Sequence, residues 1–462
     1  MLLRTRLILL GVCVFLFVIL VPYLVLYSMG YRVDFGDQKI TKTGGIYVKA
    51  MPLGASIGID SMSPKTTNIF SSSVFVQNLL PKFHTISIKK DGYVDYEKTL
   101  PVAGNQVTKL ENVILFKKDL RFDVLSNDAT WFSLSPDGSR ALVGPLLATT
   151  TERVMGMELV DLSNGQKSAF LLPTSGLIKD AIWSNTSDKL IVKVNNSYFL
   201  VEPTEPQAKV TVLPTLLTAK QISFASISTN QTTNLSTPTE KILFIKNKNL
   251  YAGGQELPLV QDVYAYQAAD QKITWLAGDG FIYASDGTNA IKERFNTIVF
   301  PLKKTSSYTV TLSAGNVFLQ ENASLYMLDR TSKAFGLIAQ NVTNFKTSPD
   351  GLQLLYASGT QLWNVDISGN VFKKSHLQTA LQPINTIWWM NNYYVAFRAG
   401  DSISMCETDD RGPVNTALLP NTITVVDGNI RITNPLVSFN QRDAKFYLLT
   451  QQTMVASERI IP

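Results

Sequence analysis

Cysteine and histidine are scarce in this sequence, which has two of each among its 462 residues. Cys13 lies inside an apolar run and Cys406 stands alone in the far half, so an intrachain disulfide is not expected. No group of His and Cys residues has the spacing of a zinc site, which argues against a transition-metal centre. Charged residues make up 17% of the chain, against about 25% in typical soluble domains. We therefore expect a stable fold to come from packing rather than from disulfides or metal ions.

The motifs of common enzyme sites are missing as well. The sequence has no Gly-x-Ser-x-Gly nucleophile elbow and no phosphate-binding loop. The net charge is +6, but the basic residues are scattered and their longest runs are pairs such as Lys117-Lys118. A scattered basic surface does not favour nucleic-acid binding. We predict a protein that is not an enzyme, with no catalytic residues, no cofactor and no metal ligands.

The first feature that is present is an uncharged stretch over residues 7–27, from Leu7 to Tyr27. As a helix it would extend about 31 Å, which matches a bilayer hydrocarbon core of about 30 Å. Arg4 and Arg6 precede it. The positive-inside rule then places residues 1–6 in the cytoplasm and the bulk of the chain outside. The stretch predicts a single-pass anchor in the cell membrane.

A cleaved signal peptide is the alternative interpretation of this stretch. The apolar region of a signal peptide is usually shorter and ends in a small-x-small cleavage site, which residues 26–30 match poorly. We therefore favour the uncleaved helix. Residues 28–43 then predict a short polar stalk.

Residues 44–117 predict a small β domain. Between His84 and Lys89, apolar and polar residues alternate with the period of two that is typical of a strand. Short turn motifs surround this strand at fixed places, and their residues are Pro52, Gly54, Ala55, Ile59, Asp60, Leu80, Pro81, His84, Gly92 and Tyr93.

In order and spacing, these residues resemble the PEGA domain, a small all-β module common on bacterial and archaeal surfaces. The resemblance covers about residues 44–115. The sequence departs from the family pattern at Leu53, Ser61 and Lys82. The resemblance implies an interaction or spacer module of a bacterial envelope protein, in which His84 and Asp60 are structural.

Most of the remaining chain is organised around a hairpin that repeats. Residues 132–143 read as a strand, the turn Ser135-Pro136-Asp137-Gly138 and a second strand. In such a turn Pro fixes an early φ and Gly takes a positive φ. The pattern returns in full at residues 345–356, with the turn Ser348-Pro349-Asp350-Gly351, and weaker copies place turn acids at Asp188, Asp270 and Asp443.

The spacing of these hairpins predicts a β-propeller over residues 118–462. Each unit of roughly 40–45 residues holds four short strands, which is the period of a propeller blade. The repeats resemble TolB-like and WD-like propeller repeats. We count eight four-stranded blades, with seven as the alternative, and expect residues 119–126 to supply an outer strand to the last blade. The predicted fold class is thus all-β, with a PEGA-like β-sandwich and a propeller after one transmembrane helix.

Aromatic residues supply the candidate binding site. Trp388, Trp389, Tyr393 and Tyr394 form a cluster that predicts either a partner-binding patch or packing between blades. The turn acids lie on equivalent turns of different blades, so they are expected to ring the propeller rather than form a paired-carboxylate site.

The combined features predict a membrane-anchored, extracytoplasmic binding or scaffold protein. Its propeller would engage an envelope protein or a cell-wall glycan. A propeller-borne glycan hydrolase or lyase is the alternative, and a structural surface-layer component is a second one.

Overall fold

A computed structural model of the protein describes residues 3–34, 38–67, 72–151, 153–203, 208–227, 239–269, 271–286, 293–369, 372–426 and 428–461. The chain divides into two compact units. Unit 1 comprises Met1–Asp119, Asp409–Ala417 and Ile461–Pro462, and unit 2 comprises Leu120–Thr408 and Leu418–Ile460. Asp270, one of the predicted turn acids, lies outside the described residues.

Unit 1 begins with one helix and continues as β-strands. Its elements are α1 (Leu3–Ser28), β1 (Tyr31–Asp34), β2 (Lys39–Lys42), β3 (Gly44–Met51), β4 (Ser56–Ile59), β5 (Lys65–Thr66), β6 (Ser73–Leu79), β7 (Phe83–Lys89), β8 (Tyr96–Pro101) and β9 (Val107–Ile114). By length and composition, Arg6–Ser28 of α1 is able to cross a membrane, and none of its most apolar window is buried by the protein. The same test is passed by signal sequences near an N-terminus.

The segment predicted as a stalk differs from the expectation, because β1 and β2 pair as an antiparallel hairpin there. Val33 and Ile40 are cross-strand partners in it. The sequence reading missed the pair because each strand has only 4 residues. Strands this short carry little alternation.

The rest of unit 1 is a sandwich of two sheets, with strand orders β6-β3-β9 and β5-β4-β7-β8. Inward side chains of both sheets, among them Ile46, Ile57, Ile86 and Leu100, form one buried core. Residues 409–417 also belong to this unit. Within unit 1, the buried Lys98 ammonium donates to the Asp409 carbonyl at 2.7 Å.

Asp60 and His84 hold the turn of the sandwich together. Asp60 has a positive φ of 50°, which Asp tolerates better than most residues. Its carboxylate accepts from the Thr85 N–H at 2.9 Å and lies 2.6 Å from Nδ1 of the buried His84. Nε2 of His84 lies 2.8 Å from the Leu80 carbonyl. Burial of the Asp60 carboxyl opposes its ionisation, but the hydrogen bonds outweigh burial and lower its pKa.

In the part of unit 2 that the structure describes, the elements are antiparallel strands and two short 3-10 helices, Leu147–Thr149 and Pro214–Leu216. The unit begins with β10 (Phe122–Ser126), which blade 1 follows with β11 (Ala129–Leu134), β12 (Arg140–Leu146), β13 (Met155–Asp161) and β14 (Lys167–Leu172). Blade 2 contains β15 (Ile178–Trp183), β16 (Leu190–Val194), β17 (Ser197–Glu202) and β18 (Lys209–Val212), and blade 3 contains β19 (Lys220–Ile227), β20 (Thr239–Lys246) and β21 (Asn249–Ala252). Blade 4 contains β22 (Val263–Ala269), β23 (Lys272–Ala277), β24 (Ile282–Ser285) and β25 (Glu293–Arg294).

Blade 5 contains β26 (Tyr308–Ser313), β27 (Asn316–Glu321), β28 (Ser324–Leu328) and β29 (Phe335–Ala339). Blade 6 contains β30 (Asn344–Thr347), β31 (Gln353–Ser358), β32 (Gln361–Asp366) and β33 (Lys373–Thr379). Blade 7 contains β34 (Ile384–Trp389), β35 (Tyr394–Ala399), β36 (Ser402–Glu407) and β37 (Thr416–Leu418), a strand that spans the boundary between the two units. A separate hairpin, β38 (Thr422–Val425) and β39 (Gly428–Arg431), precedes the last blade. Blade 8 contains β40 (Leu436–Asn440), β41 (Lys445–Thr450) and β42 (Thr453–Ser457).

The described strands of unit 2 therefore form eight blades, as predicted, and close as a β-propeller. β10 pairs with β42, so the blade order is β10-β42-β41-β40 and the start of unit 2 completes its last blade. The first strand of blade 1, β11, also contacts β40. This closure covers the sheet edges that an open array would leave exposed.

Large apolar side chains join neighbouring blades, as the repeat pattern predicts. Trp183 packs in a cluster with Leu142 and Met157 of blade 1, and Trp275 packs with Leu243 and Leu250 of blade 3. The first strand of each blade lies innermost, because neighbouring first strands such as β22 and β26, or β30 and β34, contact each other. These strands surround the propeller channel.

Candidate functional site

The two complete Ser-Pro-Asp-Gly turns close the hairpins of blades 1 and 6. In blade 1 the Ser135 hydroxyl donates to Asp137 Oδ1 at 2.7 Å and accepts from the Arg140 N–H at 2.9 Å. In blade 6 the Ser348 hydroxyl donates to Asp350 at 2.5 Å and accepts from the Gln353 N–H at 2.9 Å. Each turn thus satisfies its own backbone, which leaves its acid in a structural role.

Each of these turns also joins three blades. Asn440 of blade 8 donates to the Gly138 carbonyl at 2.9 Å, and the Asp137 N–H donates to Ser187 of blade 2 at 3.4 Å. The turn of blade 6 has the same arrangement. Asn316 of blade 5 donates to the Gly351 carbonyl at 3.4 Å, and the Asp350 N–H donates to Asn392 of blade 7 at 3.2 Å.

The weaker turn of blade 2 has the same backbone hydrogen bonds but a shifted acid. The Ser184 N–H donates to the Lys189 carbonyl, as the Ser135 N–H does to Arg140. Thr186 therefore occupies the position of Asp137, and Asp188 lies two residues later. Asp188 Oδ1 still accepts from the Ser184 hydroxyl at 2.8 Å. Asp137 and Asp188 therefore lie on equivalent turns, as predicted, but at different positions within them.

A cavity of about 370 Å³ lies at the end of the channel where the first strands end. Four consecutive blades, 6, 7, 8 and 1, line it. The lining residues are Leu134, Ser135, Pro136, Asp137, Lys346, Thr347, Trp388, Trp389, Ser438, Phe439, Asn440, Gln441 and Arg442. We call this cavity the channel mouth.

The predicted aromatic cluster divides between two places. Trp388 and Trp389 line the channel mouth and are 5% and 2% exposed. The Trp389 indole N–H donates to the Lys346 carbonyl at 2.9 Å, and Trp388 lies edge-on to Phe446. Tyr394 is buried in β35, whereas Tyr393 is 47% exposed, and neither tyrosine lines the channel mouth.

The channel mouth also contains two cations, Lys346 and Arg442, that no sequence motif marks. The Lys346 side chain is open to water in the cavity, and no acidic partner faces it within the described part of the chain. The surrounding strands remove part of its hydration, and this desolvation lowers the pKa of Lys346. Arg442 is exposed in the same cavity, again without an acidic partner among the described residues.

Asp137 is the carboxylate among the residues that line this cavity. Burial opposes its ionisation, but hydrogen bonds from the Ser139 N–H and from the hydroxyls of Ser135, Ser139 and Ser187 lower its pKa well below the usual range. Asp137 therefore stays ionised. Among the described lining residues, the two cations Lys346 and Arg442 outnumber this one carboxylate, which suits an anionic group.

A signal for Lys346 exists in the sequence. The strand that precedes each complete turn aligns Lys346 of blade 6 with Ser133 of blade 1. A charged side chain in an otherwise uncharged innermost strand indicates exposure to the channel. Sequence reasoning missed it because the face of a strand that turns to the channel depends on how the blades pack.

Comparison with known proteins identifies one family. The PEGA domain matches residues 43–115, in agreement with the resemblance in the sequence. A search of curated proteins finds none that matches this chain. The PEGA domain and the propeller fold are consistent with a binding or scaffold role.

Several solved propellers are similar to this chain at low identity. The β-propeller domain of Cps50 (Swd1) from Myceliophteria thermophila is 11% identical, with a TM-score of 0.37, over 72% of this chain and 97% of that one. The WD40 domain of SCAP from fission yeast is 8% identical, with a TM-score of 0.42, over 74% and 98% of the two chains. KlHsv2 with loop 6CD replaced by a Gly-Ser linker is 12% identical, with a TM-score of 0.40, over 64% and 98%. None of these indicates a shared function, and the propeller fold rests on the strand order above.

Proposed function

We propose that this chain is a membrane-anchored, extracytoplasmic binding protein of a bacterial envelope, whose channel mouth binds a carboxylate group of its partner. The carboxylate belongs either to a cell-wall glycan or to an envelope protein. The observation that carries the proposal is the pair of cations, Lys346 and Arg442, in a cavity that gives neither an acidic partner among the described residues.

The chemistry of the channel mouth supports this ligand class. Arg presents a planar fork that matches a carboxylate, and Lys adds a compact point charge. Trp388 and Trp389 add aromatic surface to the lining beside these cations. A cavity of about 370 Å³ holds a small group such as one acidic sugar or one acidic side chain with its backbone.

The anchoring half of the proposal rests on α1. Its side chains from Leu7 to Leu20 are exposed in the protein, and exposed apolar surface of this extent is unfavourable in water. A bilayer removes that cost, and a helix satisfies its own backbone there. Arg4 and Arg6 favour a cytoplasmic N-terminus. The PEGA domain then serves as the spacer or interaction module on the outer side.

Isothermal titration of the full chain in detergent micelles tests the ligand class. One arm uses a carboxylated cell-wall oligosaccharide, and the other uses an acidic peptide. The matched control in each arm is the same probe with its carboxylates amidated. We expect one acid probe to bind and its amide to bind at least tenfold more weakly, which corresponds to about 1.4 kcal/mol. Equal binding of acid and amide, or no binding in either arm, would refute the proposal.

The anchor is tested separately by cell fractionation and sequencing of the mature N-terminus. We expect the intact chain in the membrane fraction. A soluble product that begins near Gly30 would instead identify α1 as a cleaved signal sequence.

A further inference from the structure

The β1–β2 hairpin is tied directly to the end of the apolar helix. Gly30 ends α1 with a positive φ of 82°, which glycine adopts without strain. Its carbonyl accepts from both the N–H of Thr43 at 2.9 Å and the Thr43 hydroxyl at 2.8 Å. The base of the hairpin therefore cannot swing freely away from the helix end.

Arg32 makes a second set of contacts that hold the hairpin at the end of α1. Its guanidinium lies over the Tyr27 ring, 3.5 Å from the ring centroid, and donates to the Tyr27 carbonyl at 2.8 Å. The same side chain donates to Asn78 Oδ1 of the PEGA sandwich at 3.0 Å. Arg32 thus connects the last helical turn, the hairpin and the sandwich of unit 1.

The hairpin folds back along the last turns of α1. Val33 and Ile40 line one apolar groove of about 290 Å³ together with Tyr23 and Leu26 of the helix. Val33 is 46% exposed and Ile40 is 60% exposed. Two exposed aliphatic side chains are therefore placed level with helix residues of the membrane-spanning segment.

The depth of these residues follows from helix geometry. Four residues of α-helix, the distance from Tyr23 to Tyr27, rise about 6 Å. The headgroup region of one leaflet is about 5–7 Å thick, as the difference between the full bilayer and its hydrocarbon core. Tyr23, Tyr27 and Tyr31 in the same groove are residues that favour this interface.

We propose that the β1–β2 hairpin is a lipid-binding element, with Val33 and Ile40 seated among the bilayer lipids at the headgroup–acyl boundary. This inference rests on the proposed membrane anchor. The hairpin and the contacts of Arg32 then hold the PEGA sandwich against the bilayer surface, in place of the short polar stalk that the sequence predicts.

Site-directed spin labelling of the full chain in lipid nanodiscs tests the inference. Cys13 is replaced by Ala, and Cys406 is buried and does not label. Single labels are placed at Val33→Cys and Ile40→Cys, with Leu16→Cys in the helix as the lipid reference and Met62→Cys as the water reference. The readout is the accessibility of each label to oxygen, which partitions into lipid, relative to a water-soluble nickel chelate.

We expect the ratio at positions 33 and 40 to be several-fold higher than at position 62 and to approach that at position 16. Ratios at 33 and 40 equal to that at 62, with position 16 in lipid, would overturn the hairpin inference and leave the anchor intact. A water-exposed label at position 16 would overturn the anchor and the inference together.

Arg32→Lys and Arg32→Gln test the contacts of Arg32. Both remove the planar guanidinium that reaches the Tyr27 carbonyl and Asn78 together, and only the lysine keeps the charge. We expect both variants to lower the ratio at position 40 and to raise the mobility of the label. An unchanged spectrum at position 40 in both variants would show that Arg32 does not hold the hairpin.

Discussion

Blades 1 and 6 share one construction and differ in what they present to the channel. Both have a complete turn, and both turns place glycine at a positive φ, 65° at Gly138 and 71° at Gly351. In both, the next blade ends its first strand with a tryptophan that donates its indole N–H back to the earlier blade. Trp183 donates to the Ser133 hydroxyl at 3.1 Å, and Trp389 donates to the Lys346 carbonyl at 2.9 Å.

The two blades differ at the residue that accepts this indole N–H, which is Ser133 in blade 1 and Lys346 in blade 6. In blade 1 it is the Ser133 hydroxyl that accepts the indole, so this side chain is used for packing. In blade 6 the backbone carbonyl accepts instead, and the Lys346 side chain is free to line the channel mouth. The repeated turn and tryptophan therefore build the scaffold, whereas the non-repeated lysine gives one sector of it a charge.

The largest effect is expected from breaking the shared turn in either blade. Gly138→Val places a β-branched residue at positive φ, and its Cβ would lie 2.1 Å from the Asn440 side chain. At Gly351 the added Cβ would meet Ala314 at 2.0 Å. We expect each variant to lower the free energy of unfolding by about 3 kcal/mol. Denaturant unfolding of the full chain in detergent measures it.

Two matched glycines separate the cost of backbone strain at positive φ from the cost of the steric clash with the neighbouring blade. Gly165 in blade 1 and Gly359 in blade 6 also have positive φ, but a Cβ there would meet nothing within 4 Å. Gly165→Val and Gly359→Val should lower the free energy of unfolding only by the cost of backbone strain, about 1–2 kcal/mol. Equal losses at the matched pairs would mean that Asn440 and Ala314 of the neighbouring blades accommodate the added side chain without cost.

The next effect concerns the two tryptophans. Trp389→Phe removes the indole donor to the Lys346 carbonyl, and Trp183→Phe removes the indole donor to the Ser133 hydroxyl. Losing such a partly buried hydrogen bond costs about 0.5–1.5 kcal/mol. We expect the larger loss for Trp389→Phe, because a hydroxyl can rotate to another partner and a backbone carbonyl cannot. The melting temperatures of the two variants measure these losses of stability. A larger loss for Trp183→Phe would contradict this reasoning.

A smaller effect is expected from acid. Hydrogen bonds lower the pKa of Asp137 in the folded protein despite partial burial, so its ionised form stabilises the fold. That contribution is complete above the unfolded aspartate pKa of about 3.9 and is lost as pH falls towards the lowered folded value. We expect Asp137→Asn to flatten the dependence of melting temperature on pH below about 4. Asp123→Asn, which removes an exposed carboxylate of β10, is the control and should leave the slope unchanged.

The smallest effect on stability is expected where the two blades differ. Lys346→Ser makes blade 6 resemble blade 1 and removes a partly desolvated charge. Because desolvation lowers the folded pKa of Lys346, its charge opposes folding at neutral pH. We expect the melting temperature to stay the same or rise slightly. A clear loss of stability would show that Lys346 has a structural role.

The sequence predicts the fold well where residues determine the conformation of their own segment. Pro136 and Gly138 set the φ angles of their own turn, and the closing strand at residues 119–126 follows from counting strands. The PEGA residues Asp60 and His84 are likewise recognisable, because one positive φ and one pair of buried hydrogen bonds constrain them.

The channel mouth follows from the sequence only in part. The sequence predicts Trp388 and Trp389 as candidate binding residues, but Tyr393 and Tyr394 lie elsewhere, and no sequence motif marks Lys346 or Arg442. These residues meet because four blades close into a ring, and no local pattern records which side chains face the channel. Asp188 shows the same limit on a smaller scale, because hydroxyl and carboxylate groups exchange places within a turn without changing its backbone.

The most direct test of a binding site in the channel mouth is the affinity of Lys346→Ser for the carboxylate probe. The matched control is Lys304→Ser, which removes an exposed lysine of the same propeller. It lowers the net charge of the protein by the same amount as Lys346→Ser does. We predict a loss of about 10- to 100-fold for Lys346→Ser, as expected for one charge-assisted hydrogen bond, and no change for Lys304→Ser. Unchanged affinity in Lys346→Ser, or an equal loss in both variants, would contradict a carboxylate site at the channel mouth.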